Sequence, residues 1–277
     1  MSFLKRSACW IRRQIRLGLD QLADWFYSID TVVADPPQAV ENSRFCDAYV
    51  NGPVSYWILR SYLDCTNLGP KEVFYDIGCG HGRVLCMVAR HRVARCIGIE
   101  LSTEFAEKAR ANAAVLRDRV SPIEIRVGDA AEMDYIDGTI FYFGDPFGAD
   151  TMRAVLKRVG ETVQAKPRAV RCIFVLPAGE RSDAVRRVIE ASGWLRFVDS
   201  KSPWYSAMRV CYWASGPNQT DTYRHSKRFL HAANDQGLRP VVNDASKVAP
   251  GSWRRQTSGG ERARCSSTIM RIVPGMV

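Results

Sequence analysis

The sequence predicts an α/β fold in which one mostly parallel sheet, built by residues 72–214, carries helices on both faces. Short runs of β-branched and aromatic residues alternate there with helical patterns of about 10–15 residues. The first of these runs, Val73 to Ile77, is almost wholly apolar, as expected for a strand that is buried on both faces. The first four runs also end at, or just before, a carboxylate, so these acids should share one edge of the sheet.

The individual elements follow from periodicity, since apolar residues at helical spacing predict helices and short apolar or alternating runs predict strands. The predicted helices cover 3–28, 54–64, 82–92, 103–116, 150–163 and 181–192. The predicted strands cover 73–77, 95–100, 122–127, 139–144, 169–176, 194–199 and 207–214. The last two strands have no helix between them, which predicts a terminal antiparallel pair. Residues 29–52 contain Asp35-Pro36-Pro37 and are expected to be rich in loops.

The turn after the first strand holds three glycines in alternate positions, Gly78, Gly80 and Gly82. Glycine allows the backbone to approach a ligand closely, and the following helix N-terminus directs N–H groups toward it. A dinucleotide fingerprint, Gly-x-Gly-x-x-Gly, would need a glycine where this chain has Arg83. Asp76 at the strand end suits an ammonium group and disfavours a pyrophosphate. These features favour S-adenosylmethionine, which carries both an ammonium and a sulfonium.

Four carboxylates fall at the ends of four consecutive strands: Asp76, Glu100, Asp129 and Asp145. Glu100 lies 22 residues after Gly78, near the roughly 20 residues expected for an acid that binds ribose hydroxyls. A carboxylate accepts two hydrogen bonds as a fork, which fits a vicinal diol. A single acid after a strand is commonly a cap or turn residue. Four acids in register with one glycine turn indicate a ligand-binding edge.

The net charge of +10 is concentrated at the two ends of the chain. Residues 1–28 hold five Lys/Arg and two acids, residues 217–277 hold ten and four, and the stretch between is nearly neutral. We therefore divide the chain into a basic amphipathic helix (1–30), a catalytic domain (31–215) and a basic tail (216–277) that is expected to be disordered. The helix either packs on the domain, lies on an anionic membrane surface or is a targeting presequence.

Composition narrows the class of protein further. No apolar run approaches the roughly 20 residues of a membrane span. The nine cysteines do not resemble a secreted disulfide framework, and neither they nor the four histidines show metal-ligand spacing. The sequence thus predicts a cytoplasmic protein without a metal.

With these motifs assembled, residues 72–214 resemble the class I S-adenosylmethionine-dependent methyltransferases, with their Rossmann-like seven-stranded sheet. The Gly-Arg and Ile-Glu-Leu-Ser variants are similar to a bacterial-type family of unassigned substrate, and more distantly to the non-SET histone-lysine methyltransferases. The resemblance implies a cofactor site over these residues: Tyr49, Asp76, Gly78, Cys79, Gly80, Gly82, Glu100, Leu101, Asp129, Ala130 and Asp145.

The resemblance also implies that Asp145 orients or deprotonates the acceptor and that Phe147 offers it a ring face, although a turn that only shapes the pocket is the alternative for Phe147. Asp145-Pro146-Phe147 departs from the Asp/Asn-Pro-Pro-Tyr/Phe of enzymes that methylate adenine or glutamine. The expected acceptor is unassigned, with a protein lysine favoured over a small molecule. An RNA or DNA methyltransferase, an inactive cofactor-binding module and a nicotinamide oxidoreductase are the alternatives. The basic ends are expected to bind an acidic protein, nucleic acid or a membrane surface.

Overall fold

The computed structural model describes residues 3–32, 53–202 and 208–216, with side chains from Gln14 onward. The predicted tail and Tyr49 lie outside these residues. The described part contains six helices: α1 (Phe3–Tyr27), α2 (Tyr56–Leu63), α3 (Arg83–Val88), α4 (Thr103–Val115), α5 (Ala149–Ala165) and α6 (Glu180–Glu190). It contains seven strands: β1 (Val73–Ile77), β2 (Arg95–Glu100), β3 (Ile123–Val127), β4 (Ile140–Phe143), β5 (Val170–Pro177), β6 (Arg196–Lys201) and β7 (Met208–Ser215).

The strands form one sheet in the order β3-β2-β1-β4-β5-β7-β6. The pairs among β1 to β5 are parallel, whereas β7 runs antiparallel to both β5 and β6. The predicted fold class is therefore confirmed. Strand β7 is the last strand in the sequence, but in the sheet it lies between β5 and β6. A hairpin between β6 and β7 explains this placement, because β7 returns alongside β6 and pairs with β5 on its other side.

Helices cover both faces of the sheet. The helices α2, α3 and α4 pack with Phe74 and Tyr142 on one face. The helices α5 and α6 pack with Tyr75 and Phe141 on the other face. All five residues of β1 are buried, which explains why the sequence of this strand is apolar nearly throughout.

Helix α3 is shorter than the predicted 82–92. The helix ends at Val88, and the residues that follow make tighter bonds: the N–H of Arg90 donates to the carbonyl of Met87, and that of His91 to Val88. These i to i−3 bonds form the turn that ends the helix. Helix α4 begins with Ser102, whose hydroxyl accepts from the N–H of Phe105 at 3.3 Å, as expected of an N-cap.

None of the helices in the described part of the chain combines the length and the hydropathy that crossing a membrane requires.

Candidate functional site

The register of the sheet brings the ends of β1, β2 and β4 to one level. Ile77 lies opposite Ile99 of β2 and Phe143 of β4. The glycine turn after β1 is therefore flanked by Glu100 on one side and by Gly144 on the other. The ends of these three strands, with Asp76, Glu100 and Asp145 at or next to them, therefore lie along a single edge of the sheet.

The glycine turn needs residues without a side chain. Gly78 has φ of 77°, and a Cβ built on it would lie 2.5 Å from the Cβ of Pro146. Gly80 has φ of 53°, and among the described residues other than its two chain neighbours no atom lies within 4 Å of the position that its Cβ would take. The backbone of Gly80 is therefore open to a ligand, while Gly78 permits the close approach of the turn after β4.

Glu100 holds this turn in place. Its Oε2 accepts from the N–H of Gly80 at 2.8 Å, and its Oε1 accepts from the N–H of Ser102 at 2.9 Å. Burial raises the pKa of the carboxyl, and the backbone N–H groups oppose that rise. Each carboxylate oxygen has a further lone pair, so the predicted contact with ribose hydroxyls is compatible with this support role.

Asp76 differs from the other residues of the site in its burial and in its hydrogen bonding. It is 2% exposed, and its Oδ2 has no hydrogen-bond partner among the described residues. Burial, with a smaller contribution from Glu100, raises the pKa of Asp76 to about 8. A buried carboxylate without a partner is costly, and an ammonium group from a ligand would satisfy it. The site therefore fits the predicted cofactor.

Asp76 lies in the wall of a cleft together with Gly78, Gly80 and Gly144. Cys79 and His81 line the same cleft. Burial raises the pKa of the Cys79 thiol, so the thiol stays protonated. Burial also lowers the pKa of His81, whose ring meets the ring of Phe105 edge to face at 4.8 Å. Both side chains therefore shape the cleft, and the protonated thiol of Cys79 is not prepared to act as a nucleophile.

The structure places Asp129 and Ala130 in the turn that follows β3. The Asp129 Oδ1 accepts from the N–H of Ala131 at 2.8 Å, and the carbonyl of Ala130 accepts from the Tyr135 hydroxyl at 2.6 Å. These bonds stabilise the turn. The predicted contact of Asp129 with adenine stays a prediction, as does the cofactor contact of Leu101, which is half-buried beside Glu100.

The turn after β4 carries Asp145 and Phe147, the two predicted catalytic residues. Asp145 is 3% exposed, has a left-handed φ of 58° and forms an ion pair with Arg181. Phe147 is 5% exposed and packs against Phe143 in the core that α5 covers. This burial supports the packing alternative for Phe147 and does not support contact between its ring and an acceptor.

Behind the glycine turn lies a buried ion-pair network that was not predicted from the sequence. Arg83, the first residue of α3, is 2% exposed, and its Nη1 lies 3.2 Å from the Asp20 carboxylate while its Nη2 lies 3.7 Å from that of Asp24. Its Nε donates to the Thr31 hydroxyl at 2.6 Å, and its planar group lies over the ring of Tyr56 at 4.5 Å. We call these five residues the Arg83 network.

The Arg83 network joins α1 to the cofactor cleft. Asp24 accepts from the N–H and the hydroxyl of Thr31, at 2.7 and 2.8 Å, and from the hydroxyl of Tyr56. Arg83 also donates to the carbonyl of Val54 at 3.1 Å. Thr31 and Val54 line the cleft. Helix α1 therefore supports one wall of the cleft through its two acidic residues.

Comparison with known proteins adds family evidence. Residues 30–137 match the family model described as "Histone methylation protein DOT1". The chain is 30% identical over 77 residues to a histone-lysine N-methyltransferase, H3 lysine-79 specific, of Caenorhabditis elegans, a match that covers 27% of this chain and 8% of the relative. It is 30% identical over 61 residues to a protein-lysine N-methyltransferase of Saccharolobus islandicus, covering 22% and 38%. The matches thus span well under half the length of these curated relatives.

Two solved structures show a partly similar course of the chain. An RNA methyltransferase from Salinibacter ruber has a TM-score of 0.41 at 22% identity and covers 61% of this chain and 99% of its own. Magnesium protoporphyrin IX methyltransferase from Synechocystis has a TM-score of 0.44 at 18% identity, covering 58% and 77%.

The similarity to methyltransferases rests on the strand order with its antiparallel β7, on the glycine turn that Glu100 holds, and on the match of residues 30–137. Its motif residues Asp76 and Glu100 both lie inside the matched segment 30–137. In its fold and in the segment 30–137 the chain is similar to the class I S-adenosylmethionine-dependent methyltransferases.

Proposed function

We propose that this protein transfers the methyl group of S-adenosylmethionine to the side-chain amine of a lysine in another protein. The observation that carries the proposal is the matched segment 30–137, which includes the buried Asp76 and the glycine turn fastened by Glu100. The family model concerns histone methylation, and both curated relatives carry names of lysine methyltransferases. These names support lysine as the acceptor.

The residues of the cleft divide the binding of the cofactor among them. Asp76 would take the ammonium group, because its carboxylate is buried and its Oδ2 has no hydrogen-bond partner within the described ranges. Glu100 would accept from the ribose hydroxyls with the lone pairs that its backbone donors leave. The backbone of Gly80 lies open to the ligand. Asp129 would accept from the exocyclic amine of adenine.

The cofactor supplies a methyl group that its sulfonium has already activated. The protein must then hold a neutral amine in line with that methyl group, so positioning accounts for most of the rate enhancement. An ammonium loses its proton more readily in a desolvated site. We assign the orientation of the amine to Asp145, which is 3% exposed and follows Gly144 of the cleft.

The acceptor needs its own test, because the family match ends at residue 137 and Asp145-Pro146-Phe147 lies beyond it. The purified protein is incubated with methyl-labelled S-adenosylmethionine and with core histones, a total protein extract or total RNA. A parallel protein sample has its lysines blocked by acetylation, which converts each side-chain amine to a non-nucleophilic amide. Glu100→Gln serves as the cofactor-site variant, and Glu107→Gln is its matched control, since Glu107 is an exposed acid of α4.

We expect label in protein lysines, lost after lysine blocking and in Glu100→Gln but kept in Glu107→Gln. Label in RNA, or in protein after lysine blocking, would overturn the lysine assignment. If the protein binds S-adenosylhomocysteine but labels none of these acceptors, the lysine assignment is likewise overturned, and only the assignment of the cofactor site stands.

We also place the protein in the cytoplasm. The six cysteines whose side chains the structure describes are free, which supports a reducing compartment.

A further inference from the structure

The exposed side of α1 carries a row of large apolar side chains. Their exposed fractions run from 51% to 77%, and none of these residues belongs to the hydrophobic core clusters. They are Ile15, Leu19, Leu22, Trp25 and Phe26. At about 100° per residue they fall on one side of the helix. We call this row the apolar stripe.

The opposite side of α1 is buried. Asp20 and Asp24, which are 6% and 4% exposed, pair there with Arg83. The helix is thus fixed to the domain by its acidic side, and its apolar side faces solvent. Exposed apolar patches of this kind mark interaction sites in soluble proteins.

The charges of α1 indicate what this side binds. Residues 3–27 contain five basic residues, and their only acids are Asp20 and Asp24. Both acids are buried and paired, so the exposed charges of the helix are all basic. Among the described basic side chains, Arg16 is exposed and sits beside the stripe. An apolar stripe that contains Trp and is flanked by Arg is the pattern of a helix lying in the plane of an anionic bilayer surface.

We propose that the apolar stripe of α1 inserts into the interface of membranes that contain anionic phospholipids, so that the protein works at a membrane surface. The proposal does not depend on the acceptor assigned above. The Arg83 network holds the other side of α1 against the cleft, so lipid binding leaves the cofactor site assembled. A nucleic acid or an acidic protein surface would match the charge of this helix but not its apolar stripe, and a second copy of the chain is tested below.

The test uses the full chain and co-sedimentation with vesicles of phosphatidylcholine alone or mixed with phosphatidylglycerol. The stripe variant is the double substitution Leu22→Gln and Trp25→Gln. Trp57→Gln is the matched control, because Trp57 on α2 is 75% exposed, as Trp25 is 77% exposed, but lies outside the stripe. The affinity for S-adenosylhomocysteine is measured in parallel to show that each variant is folded.

We expect the wild type and Trp57→Gln to bind the mixed vesicles and to bind phosphatidylcholine vesicles at least tenfold more weakly. The stripe variant should need at least tenfold more lipid for half-binding, about 1.4 kcal/mol, while its affinity for S-adenosylhomocysteine is unchanged. Equal binding of the stripe variant, or absence of wild-type binding to mixed vesicles, would overturn the proposal. A wild-type dimer in sedimentation velocity that the stripe substitutions convert to monomer would assign the stripe to a second copy instead.

Discussion

Replacing Asp76 with Asn tests the chemistry of the cleft most directly. Asp76 is held without a partner for Oδ2 among the described residues, and its pKa is raised to about 8. Below that pH the empty site holds a proton, which must leave before the carboxylate can bind an ammonium group. The affinity of the wild type for S-adenosylhomocysteine should therefore rise by up to about tenfold per pH unit between pH 6 and 8.

The Asn variant should lose this pH dependence, because it has no proton to release. At pH 8 it also lacks the charge that would pair with the ligand's ammonium. A hydrogen bond to a charged group contributes about 1.5–3 kcal/mol, so the affinity should fall about 10- to 150-fold. The size of this loss follows from the burial of Asp76, since an exposed carboxylate would be replaced by water at little cost.

The same substitution has the opposite effect on the stability of the unliganded protein. The folded pKa of Asp76 lies above the unfolded value of about 3.9, so between roughly pH 4 and 8 the folded state holds a proton that the unfolded state does not. The free energy of unfolding then falls as the pH rises through this window, by at most about 1.4 kcal/mol per pH unit from this group. Asp76→Asn should remove that contribution and be more stable than the wild type at pH 8.

Calorimetric titrations at pH 6, 7 and 8 and urea unfolding over the same range measure both effects. Repeating the titrations in two buffers of different ionisation enthalpy counts the protons released on binding. Asp183→Asn is the control, because Asp183 is an exposed acid of α6. Wild-type affinity that is the same at pH 6 and pH 8, or unaltered affinity of Asp76→Asn at pH 8, would refute the assignment of Asp76 to the ammonium group.

Two further substitutions test the supports of the cleft. Asp24→Ala removes the acceptor of Thr31 and leaves Arg83 with one carboxylate fewer. The free energy of unfolding in urea should therefore fall by about 3–5 kcal/mol. A fall below about 1 kcal/mol would contradict the buried network. Gly78→Ala should destabilise more than Gly193→Ala, since both glycines have φ of 77° but only Gly78 meets Pro146; each should lose at least about 1–2 kcal/mol from φ alone, and equal losses would argue against the clash.

The fold could be predicted from the sequence because its strands are short apolar runs that end at glycines and acids. The run 95–100 was predicted with the bounds that β2 has in the structure. The roles of Asp76 and Glu100 as edge residues also followed from spacing. The position of β7 between β5 and β6 could not be predicted in this way, because the sequence of a hairpin does not show which of its two strands pairs with the rest of the sheet.

Phe147 shows a different limit of sequence interpretation. An aromatic residue after a strand is compatible both with a ring that faces a substrate and with a ring that fills the core. Its contact with Phe143 supports the second, and that contact depends on the course of α5. The left-handed φ of Asp145 likewise depends on the turn and leaves no mark in the sequence.

The N-terminal helix is where sequence pattern and structure diverge most. An amphipathic helix ordinarily packs its apolar side on the domain, whereas α1 packs the side that carries Asp20 and Asp24. Burying two carboxylates is favourable only where a cation pairs with them, and Arg83 is that cation. A usable signal was present, since the only two acids of a basic helix are spaced i to i+4 and so share a side. Arg83, which stands where a dinucleotide fingerprint would need glycine, therefore also orients α1. This orientation leaves the apolar stripe exposed.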